Sequence, residues 1–477
     1  MKEVSVDTPK GRIEGHVDTR FTNVLDAFVA NFTERGEVGA SCALTLEGRQ
    51  VVDLWGGRVA PEGAPWHRDT ICMVFSSTKG AMSLCAHLLA DRGQLDLDAL
   101  ITDYWPEFGV GGKEDARVSM TLDHTAGVPH VRGPVMPGEF WNYEAMVKRV
   151  AEEPAFWTPG SRQGYHGITM AWTVGELVRR AGGKRLGEFF AEELAAPLGL
   201  DFWIGLPESH ESRVAPMLLA EPDQAWMETR FIKAALTTRD TPTALFMRDF
   251  ATFEPNTRAC RAAEVGSANG MANGRALAGL YAPFANGGTQ HGKRFVGLET
   301  LTRMSRVSAA TSDDATLMIP ARFALGFMKS TDNRRLPGVV NSSLLMSESA
   351  FGHVGAGGSI GLADPECRMS FGYAMNRMGT GVLLNERGQS LLDAVYSALG
   401  YRTNQGGAWT HCDLAGVPSE ACSRQPVWFG QALAAQKCRI EQFGLIARAA
   451  VAEQCDDGMS GTHVAGQTDS PSHVHAR

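Results

Sequence analysis

A serine and a lysine stand three positions apart at the start of an apolar segment. Ser76 and Lys79 precede the apolar-periodic run of residues 81–89. Residues at i and i+3 share one face of a helix, so we expect the Ser76 hydroxyl and the Lys79 amine to meet. The amine can then accept the hydroxyl proton, and the helix N-terminus offers N–H groups to a developing negative charge. The same residues also fit a plain helix start, with Ser76 as the cap and Lys79 in solvent.

A tyrosine follows a Pro-Gly turn in residues 157–167 and precedes a helical pattern. Beside a lysine, Tyr165 can be held as a phenolate or share its proton, because positive charge lowers the pKa of a phenol. The alternative is a half-buried aromatic residue with a hydrogen-bonded hydroxyl. Tyr165 is therefore a candidate proton carrier for a nucleophilic serine.

Residues 351–359, in the C-terminal half of the chain, have a strand pattern that is rich in glycine. His353 and Gly355 belong to it, and so many glycines indicate that something approaches the backbone closely, a substrate carbonyl or a neighbouring strand. Residues 357–361 also match G-x-S-x-G, the nucleophile elbow of α/β-hydrolases. That motif requires a strand, a turn and a helix, and the run after Ser359 has a strand pattern instead. We therefore expect Ser359 not to be the nucleophile.

The order of elements predicts an α+β fold. A helical pattern at residues 18–35 precedes a hairpin at 39–55, and strand patterns return at 323–328, 351–353, 359–363 and 369–375 before a helix at 388–399. This order favours an antiparallel sheet flanked by helices, with a large inserted helical domain. The prediction is one domain over 1–401, with its sheet part at about 15–75 and 321–401 and its helical part at about 76–320. Residues 402–477 form an extension, partly helical with a disordered end.

Composition excludes several classes of protein. The chain has 477 residues and a net charge of −8 without a long basic run, which argues against nucleic acid and anionic membranes as partners. It has no signal-peptide pattern at its N-terminus and no stretch of 18 apolar residues. Nine scattered cysteines without a C-x-x-C pair indicate reduced thiols in the cytoplasm and no zinc site. No cofactor or metal is expected, and the oligomeric state stays open.

The three motifs together resemble the serine β-lactamase and penicillin-binding-protein superfamily. The order S-x-x-K, P-G-x-x-x-x-Y-x-G and H-x-G is most similar to that of the family VIII carboxylesterases, which share the class C β-lactamase fold. Residues 121–127, 269–278 and 361–366 also resemble the family. The resemblance covers about residues 15–401 and implies a role for each matching residue. Those roles are Ser76 as the acylated nucleophile, Lys79 as its activator, Tyr165 as general base and leaving-group acid, the Ser76 and Ala356 N–H groups as the oxyanion hole, and His353 and Gly355 as substrate-binding residues.

Two positions depart from the β-lactamase pattern. Gly167 replaces the asparagine of Y-x-N, and His353 replaces the lysine of K-T-G, which gives a fixed positive charge. A histidine is mostly neutral at pH 7. The sequence therefore predicts a serine carboxylesterase for short-chain, neutral, small-molecule esters, with weak β-lactamase activity. A class C-type β-lactamase, a penicillin-recognising peptidase and an acyl-binding sensor without turnover are the alternatives.

Overall fold

The computed structural model describes residues 1–411 of the chain. The predicted helical part of the C-terminal extension and its predicted disordered end lie outside the described residues. Among the described helices, none is both long enough and apolar enough to cross a membrane.

Sixteen strands and fourteen α-helices make up the described part. The strands are β1 Lys2–Thr8, β2 Gly11–Val17, β3 Gly39–Leu46, β4 Arg49–Gly57, β5 Cys72–Met73, β6 Phe202–Trp203, β7 Met271–Ala272, β8 Thr289–Gln290, β9 Lys293–Arg294, β10 Ala309–Thr311, β11 Ala321–Phe323, β12 Phe351–Val354, β13 Ile360–Asp364, β14 Met369–Met375, β15 Tyr401–Thr403 and β16 Thr410–His411. The helices are α1 Thr22–Thr33, α2 Thr78–Asp91, α3 Val118–Leu122, α4 Tyr143–Glu152, α5 Met170–Gly182, α6 Leu186–Phe190, α7 Ala196–Leu198, α8 Gln224–Met227, α9 Arg230–Thr237, α10 Pro242–Ala251, α11 Arg258–Ala262, α12 Gly274–Ala285, α13 Leu298–Ser305 and α14 Glu386–Ala398.

Seven strands form the main antiparallel sheet, in the order β1-β2-β4-β3-β14-β13-β12. Side chains alternate across it, so Phe371 and Tyr373 of β14 join the apolar cluster that contains α1 and α14. Helices α2 to α13 lie between β4 and β12 in the sequence. The predicted α+β fold, an antiparallel sheet with flanking helices and a large helical insertion, is confirmed.

Two paired glycines let α12 lie close against the other face of the sheet. Gly361 of β13 is the direct partner of Gly372 of β14. A Cβ atom at Gly372 would stand 2.1 Å from the Gly274 carbonyl oxygen, and one at Gly361 would stand 2.7 Å from the Tyr281 ring. A larger residue at either position would push α12 away from the sheet.

The first hairpin was not predicted from the sequence, and one predicted strand is shorter in the structure. Strands β1 and β2 precede α1, whereas the prediction began the fold at the helix. The edge strand β1 buries only Val4 of its seven residues, so it lacks a clear apolar alternation. The strand predicted at 323–328 ends at Phe323, because the chain turns at Gly326, where φ is +90°.

Candidate active site

The Ser76 turn begins in a strained backbone conformation. Phe75 has a φ of +44°, a region that residues other than glycine rarely adopt. Its ring is almost fully buried and packs against Phe250 and Phe253, each with a centroid distance of 6.3 Å. The 3₁₀ turn Phe75–Ser77 then leads into α2. Tight packing holds this sharp turn, and such strain is commonly kept at functional sites.

The Lys79 amine is held by three oxygen atoms. Its Nζ lies 3.2 Å from Ser76 Oγ, 2.7 Å from the Gly167 carbonyl oxygen and 2.8 Å from the Ser267 carbonyl oxygen. Lys79 is fully buried, and this burial holds the pKa of its amine well below the usual 10.5. A neutral amine has two hydrogens, which the two carbonyls accept, so its lone pair faces the Ser76 hydroxyl. In this geometry the amine can accept the Ser76 proton.

Tyr165 reaches the same serine from the other side. Its ring lies 4.8 Å from Lys79 Nζ. Burial raises the pKa of Tyr165 above the usual 10, although an interaction with Ser76 lowers the pKa of the phenol and so opposes that rise. The phenol is therefore protonated at neutral pH, and the phenolate considered from the sequence is not favoured.

A buried aspartate fixes the backbone of the tyrosine. Asp314 Oδ1 accepts hydrogen bonds from the N–H groups of Tyr165, Thr316 and Leu317 at 3.0, 2.9 and 2.8 Å. Asp314 is fully buried, and burial raises the pKa of its carboxyl. Asp314 thus joins the β10–β11 loop to the Tyr165 loop, and nothing in the local sequence pattern marked it.

We expect Asp314→Ala to lower both stability and turnover. The change leaves three buried N–H groups unpaired, and each such group costs about 1–3 kcal/mol. Asp314→Asn keeps the Oδ1 acceptor and is expected to retain more of both. Urea denaturation and kcat of the two variants check this, and an Asp314→Ala protein with wild-type stability and kcat would contradict the anchoring role.

Three neutral histidines surround Tyr165. Ring centroids of His124 and His353 lie 4.8 and 6.1 Å from that of Tyr165, and His166 contacts His124. Burial lowers the pKa of His353 to about 3 and that of His166 to about 3, and holds that of His124 well below 6.5. None of them supplies positive charge at pH 7. His353 was predicted to bind substrate; it is fully buried behind Tyr165 and does not line the cavity described below.

Ser359 is engaged in the protein interior. It is fully buried, its hydroxyl donates to the Val74 carbonyl at 2.8 Å, and it lies 3.1 Å from Ser77 Oγ. A Cβ at Gly355 would stand 2.2 Å from that same carbonyl, which explains the glycine. The hydrogen bonds of Ser359 therefore connect the β12–β13 hairpin to the turn that contains Ser76.

An apolar cavity of about 260 Å³ opens at Ser76. Its wall includes Tyr165, Gly355 and Ala356 from the predicted site. The other described lining residues are Leu219, Ala220, Pro222, Trp226, Phe231, Phe246, Met247, Phe250, Leu317, Met328, Val354, Gly357, Met378, Gly379, Thr380, Gly381 and Val382. None of the described lining residues is charged, and the sequence offered no signal for this cavity because its wall comes from many distant segments.

At Gly167, which has no side chain, the ring of another residue fills the space that a Cβ atom would occupy. A Cβ there would stand 2.5 Å from two atoms of the Phe246 ring, so Phe246 of α10 occupies the space beside residue 167. The Phe246 ring packs edge-on against Tyr165 at 6.2 Å. The departure from Y-x-N thus leaves room for an apolar wall at the nucleophile. The sequence did mark this glycine, but not the residue that fills its place.

The fold and site define a member of the β-lactamase family. The chain belongs to that family, whose model, described as β-lactamase, matches residues 22–396. Within it, the chain groups with the family VIII carboxylesterases. A crystal structure of a family VIII carboxylesterase is 37% identical, with a TM-score of 0.70 and coverage of 81% of this chain and 99% of that one.

Two further relatives have similar coverage. The esterase/β-lactamase LipL of Mycobacterium tuberculosis (strain ATCC 25618 / H37Rv) is 33% identical over 383 residues, which cover 79% of this chain and 85% of LipL. A penicillin-binding protein homologue from Caulobacter crescentus is 31% identical, with a TM-score of 0.70 and coverage of 81% of this chain and 99% of that one.

Proposed function

We propose that this protein is a serine carboxylesterase that hydrolyses short-chain, neutral esters of small molecules through an acyl-enzyme on Ser76. The observation that carries the proposal is the Ser76 hydroxyl, held between the Lys79 amine at 3.2 Å and the Tyr165 phenol at the mouth of an uncharged cavity. The esterase names of the relatives support it. The oxyanion hole, from the N–H groups of Ser76 and Ala356, belongs to the proposal because both residues line the cavity.

The proposed reaction begins when Ser76 Oγ attacks the ester carbonyl and passes its proton to Lys79. The carbonyl oxygen gains negative charge, which the two backbone N–H groups stabilise. When the intermediate collapses, the alkoxide takes the Tyr165 proton, and Lys79 returns a proton to Tyr165. Water then attacks the acyl group on Ser76, the same groups carry its proton, and the carboxylic acid leaves.

The pH dependence of turnover follows from the two shifted groups. Only the neutral Lys79 amine can accept a proton, and its depressed pKa keeps it neutral to pH values well below 10.5. We expect kcat/KM to fall on acidification as Lys79 becomes protonated, and to show no loss from Tyr165 up to its ordinary pKa of 10.0. A pH profile for p-nitrophenyl butyrate tests this, and a rate that rises only around pH 10.5 would contradict it.

The substrate class is tested by comparing esters with β-lactams. A β-lactam carries a carboxylate, and the described cavity wall offers no lysine or arginine to pair with it. A charge-assisted contact is worth about 1.5–3 kcal/mol, or one to two decades in binding. We therefore expect kcat/KM for p-nitrophenyl butyrate to exceed that for the cephalosporin nitrocefin.

The same assay separates the alternatives. Sustained ester turnover supports the esterase, whereas one burst of product without turnover would indicate a sensor. Preference for nitrocefin by the wild type would place the chain among the β-lactamases proper.

We also propose a cytoplasmic location. Its support is the thiols of Cys42, Cys72 and Cys85, which are unpaired and fully buried, and burial raises their pKa. Such thiols are typical of proteins in a reducing compartment.

A further inference from the structure

A second, smaller cavity lies on the other side of Ser76. It measures about 50 Å³, against about 260 Å³ for the first, and is lined by Phe75, Ser76, His130, Gly167, Ile168, Phe246, Asp249, Phe250, Phe253, Ala268 and Ala356. Four of the described residues line both cavities, namely Ser76, Ala356, Phe246 and Phe250. The nucleophile and its proposed oxyanion partner therefore stand at the junction, and an ester carbonyl placed there directs its acyl and alcohol groups into different cavities.

The position of the proton donor decides which group enters which cavity. The departing alcohol oxygen must take a proton, and the protonated Tyr165 lines the large cavity but not the small one. The small cavity has two titratable residues in its wall, His130 and Asp249. These two side chains are hydrogen-bonded to each other, with His130 Nδ1 2.9 Å from Asp249 Oδ2. The Tyr165 proton is thus available to a leaving group in the large cavity.

From this geometry, and resting on the proposed function, we infer that the large cavity takes the alcohol and the small cavity takes the acyl group. The substrates are then short-acyl esters of bulky, apolar alcohols. One water-sized group needs about 10–15 Å³ of such volume, so the small cavity holds roughly three to five carbon-sized groups. The large cavity has room for an aromatic or alicyclic alcohol.

Phe246 sets the limit on the acyl chain. Its ring lines both cavities, packs against Phe231 at 6.0 Å and stands where a side chain at residue 167 would be. Phe253, buried and lining only the small cavity, closes it from another side. A longer acyl chain would have to displace one of these rings from packed surroundings.

The transfer itself balances within the proposed site. The bond from the acyl carbon to Ser76 Oγ forms as the bond to the alcohol oxygen breaks, and the alcohol leaves with the Tyr165 proton through the large cavity. The short acyl group stays in the small cavity until water cleaves it from Ser76 and it departs as the carboxylic acid. No oxidant, reductant or further co-reactant takes part.

Two substrate series test the inference with the full chain. The first varies the acyl group of p-nitrophenyl esters from acetate to octanoate, and the second varies the alcohol of acetate esters from methyl to benzyl and 1-naphthyl. Since a misfit of one methylene already costs about tenfold in a rigid pocket, we expect kcat/KM to fall at least about tenfold between butyrate and octanoate. Naphthyl acetate is expected to be hydrolysed faster than methyl acetate.

Matched phenylalanine variants locate the limit. Phe246→Ala and Phe253→Ala each enlarge the small cavity and are expected to raise the octanoate-to-butyrate ratio by about tenfold or more. Phe231 lines the large cavity but not the small one, so Phe231→Ala is expected to keep the wild-type acyl ratio while changing the order of the acetates.

The results of these assays test the assignment of the two cavities separately from the proposed esterase function. A wild type that prefers octanoate, or methyl over naphthyl acetate, overturns the assignment of the cavities and leaves the esterase standing. Phe246→Ala and Phe253→Ala proteins that both fold and keep the wild-type acyl ratio also overturn it. A folded wild type that hydrolyses no ester in either series overturns the proposed function instead.

Discussion

Ser76→Ala is expected to lower ester turnover by roughly 10⁴–10⁶-fold, because the covalent route through the acyl-enzyme is lost. Ser76 lies at the surface of the cavity and packs little of its side chain into the core, so the melting temperature should stay near that of the wild type. The measurement is kcat for p-nitrophenyl butyrate, with circular dichroism to verify folding. A variant within about tenfold of the wild type would show that another group makes the attack.

Ser359→Ala is the matched control. Ser359 belongs to a G-x-S-x-G sequence, yet its hydroxyl is bonded to the Val74 carbonyl in the interior. Its loss leaves a buried oxygen without this donor and costs about 1–3 kcal/mol of stability. We expect reduced stability and substantial remaining activity, and a collapse of kcat in a folded Ser359→Ala protein would contradict this reading.

Tyr165→Phe and Lys79→Met are each expected to lower kcat by about 10²–10⁴-fold, the usual contribution of a general acid or base. Both groups contact Ser76 and belong to one proton path. Once either is absent the path is broken, so the double variant should lose much less than the sum of the two single losses. Steady-state kinetics of the four proteins in this cycle make the measurement.

Tyr165→Phe is the sharper of these variants. A phenylalanine keeps the ring packing against His124 and Phe323, so folding should be preserved while the proton is removed. Turnover within about threefold of the wild type would make Tyr165 a structural aromatic residue. Additive losses in the double variant would show that the two groups act independently.

The sequence predicted the parts of the site that local spacing determines. Ser76 and Lys79 are brought together because three residues of a helical turn place them on one face, and this follows from the chain alone. Tyr165 was singled out by its motif order, and the structure places its ring 4.8 Å from Lys79 Nζ and in the wall of the cavity at Ser76. In the fold, the β3–β4 hairpin and β14 were located from their apolar patterns almost to the residue.

Residues that act from distant segments left no such pattern. Asp314 lies 149 positions after Tyr165, and an isolated aspartate in a loop does not reveal which N–H groups it will accept. Phe246 is one apolar residue of α10, and its role depends on the space at Gly167, so only the three-dimensional packing shows it. His353 was placed against the substrate by its motif, but the strand carries it behind Tyr165. Burial and contact across the chain decide these positions, and neither is a property of local sequence.

The central claim is that an acyl-enzyme forms on Ser76. A fluorophosphonate reacts with an activated serine, and digestion followed by mass spectrometry identifies the peptide that carries the label. We expect a single adduct on Ser76, which disappears in Ser76→Ala and forms far more slowly in Lys79→Met. A label on Ser359, or no label on a protein that turns over p-nitrophenyl butyrate, would contradict it.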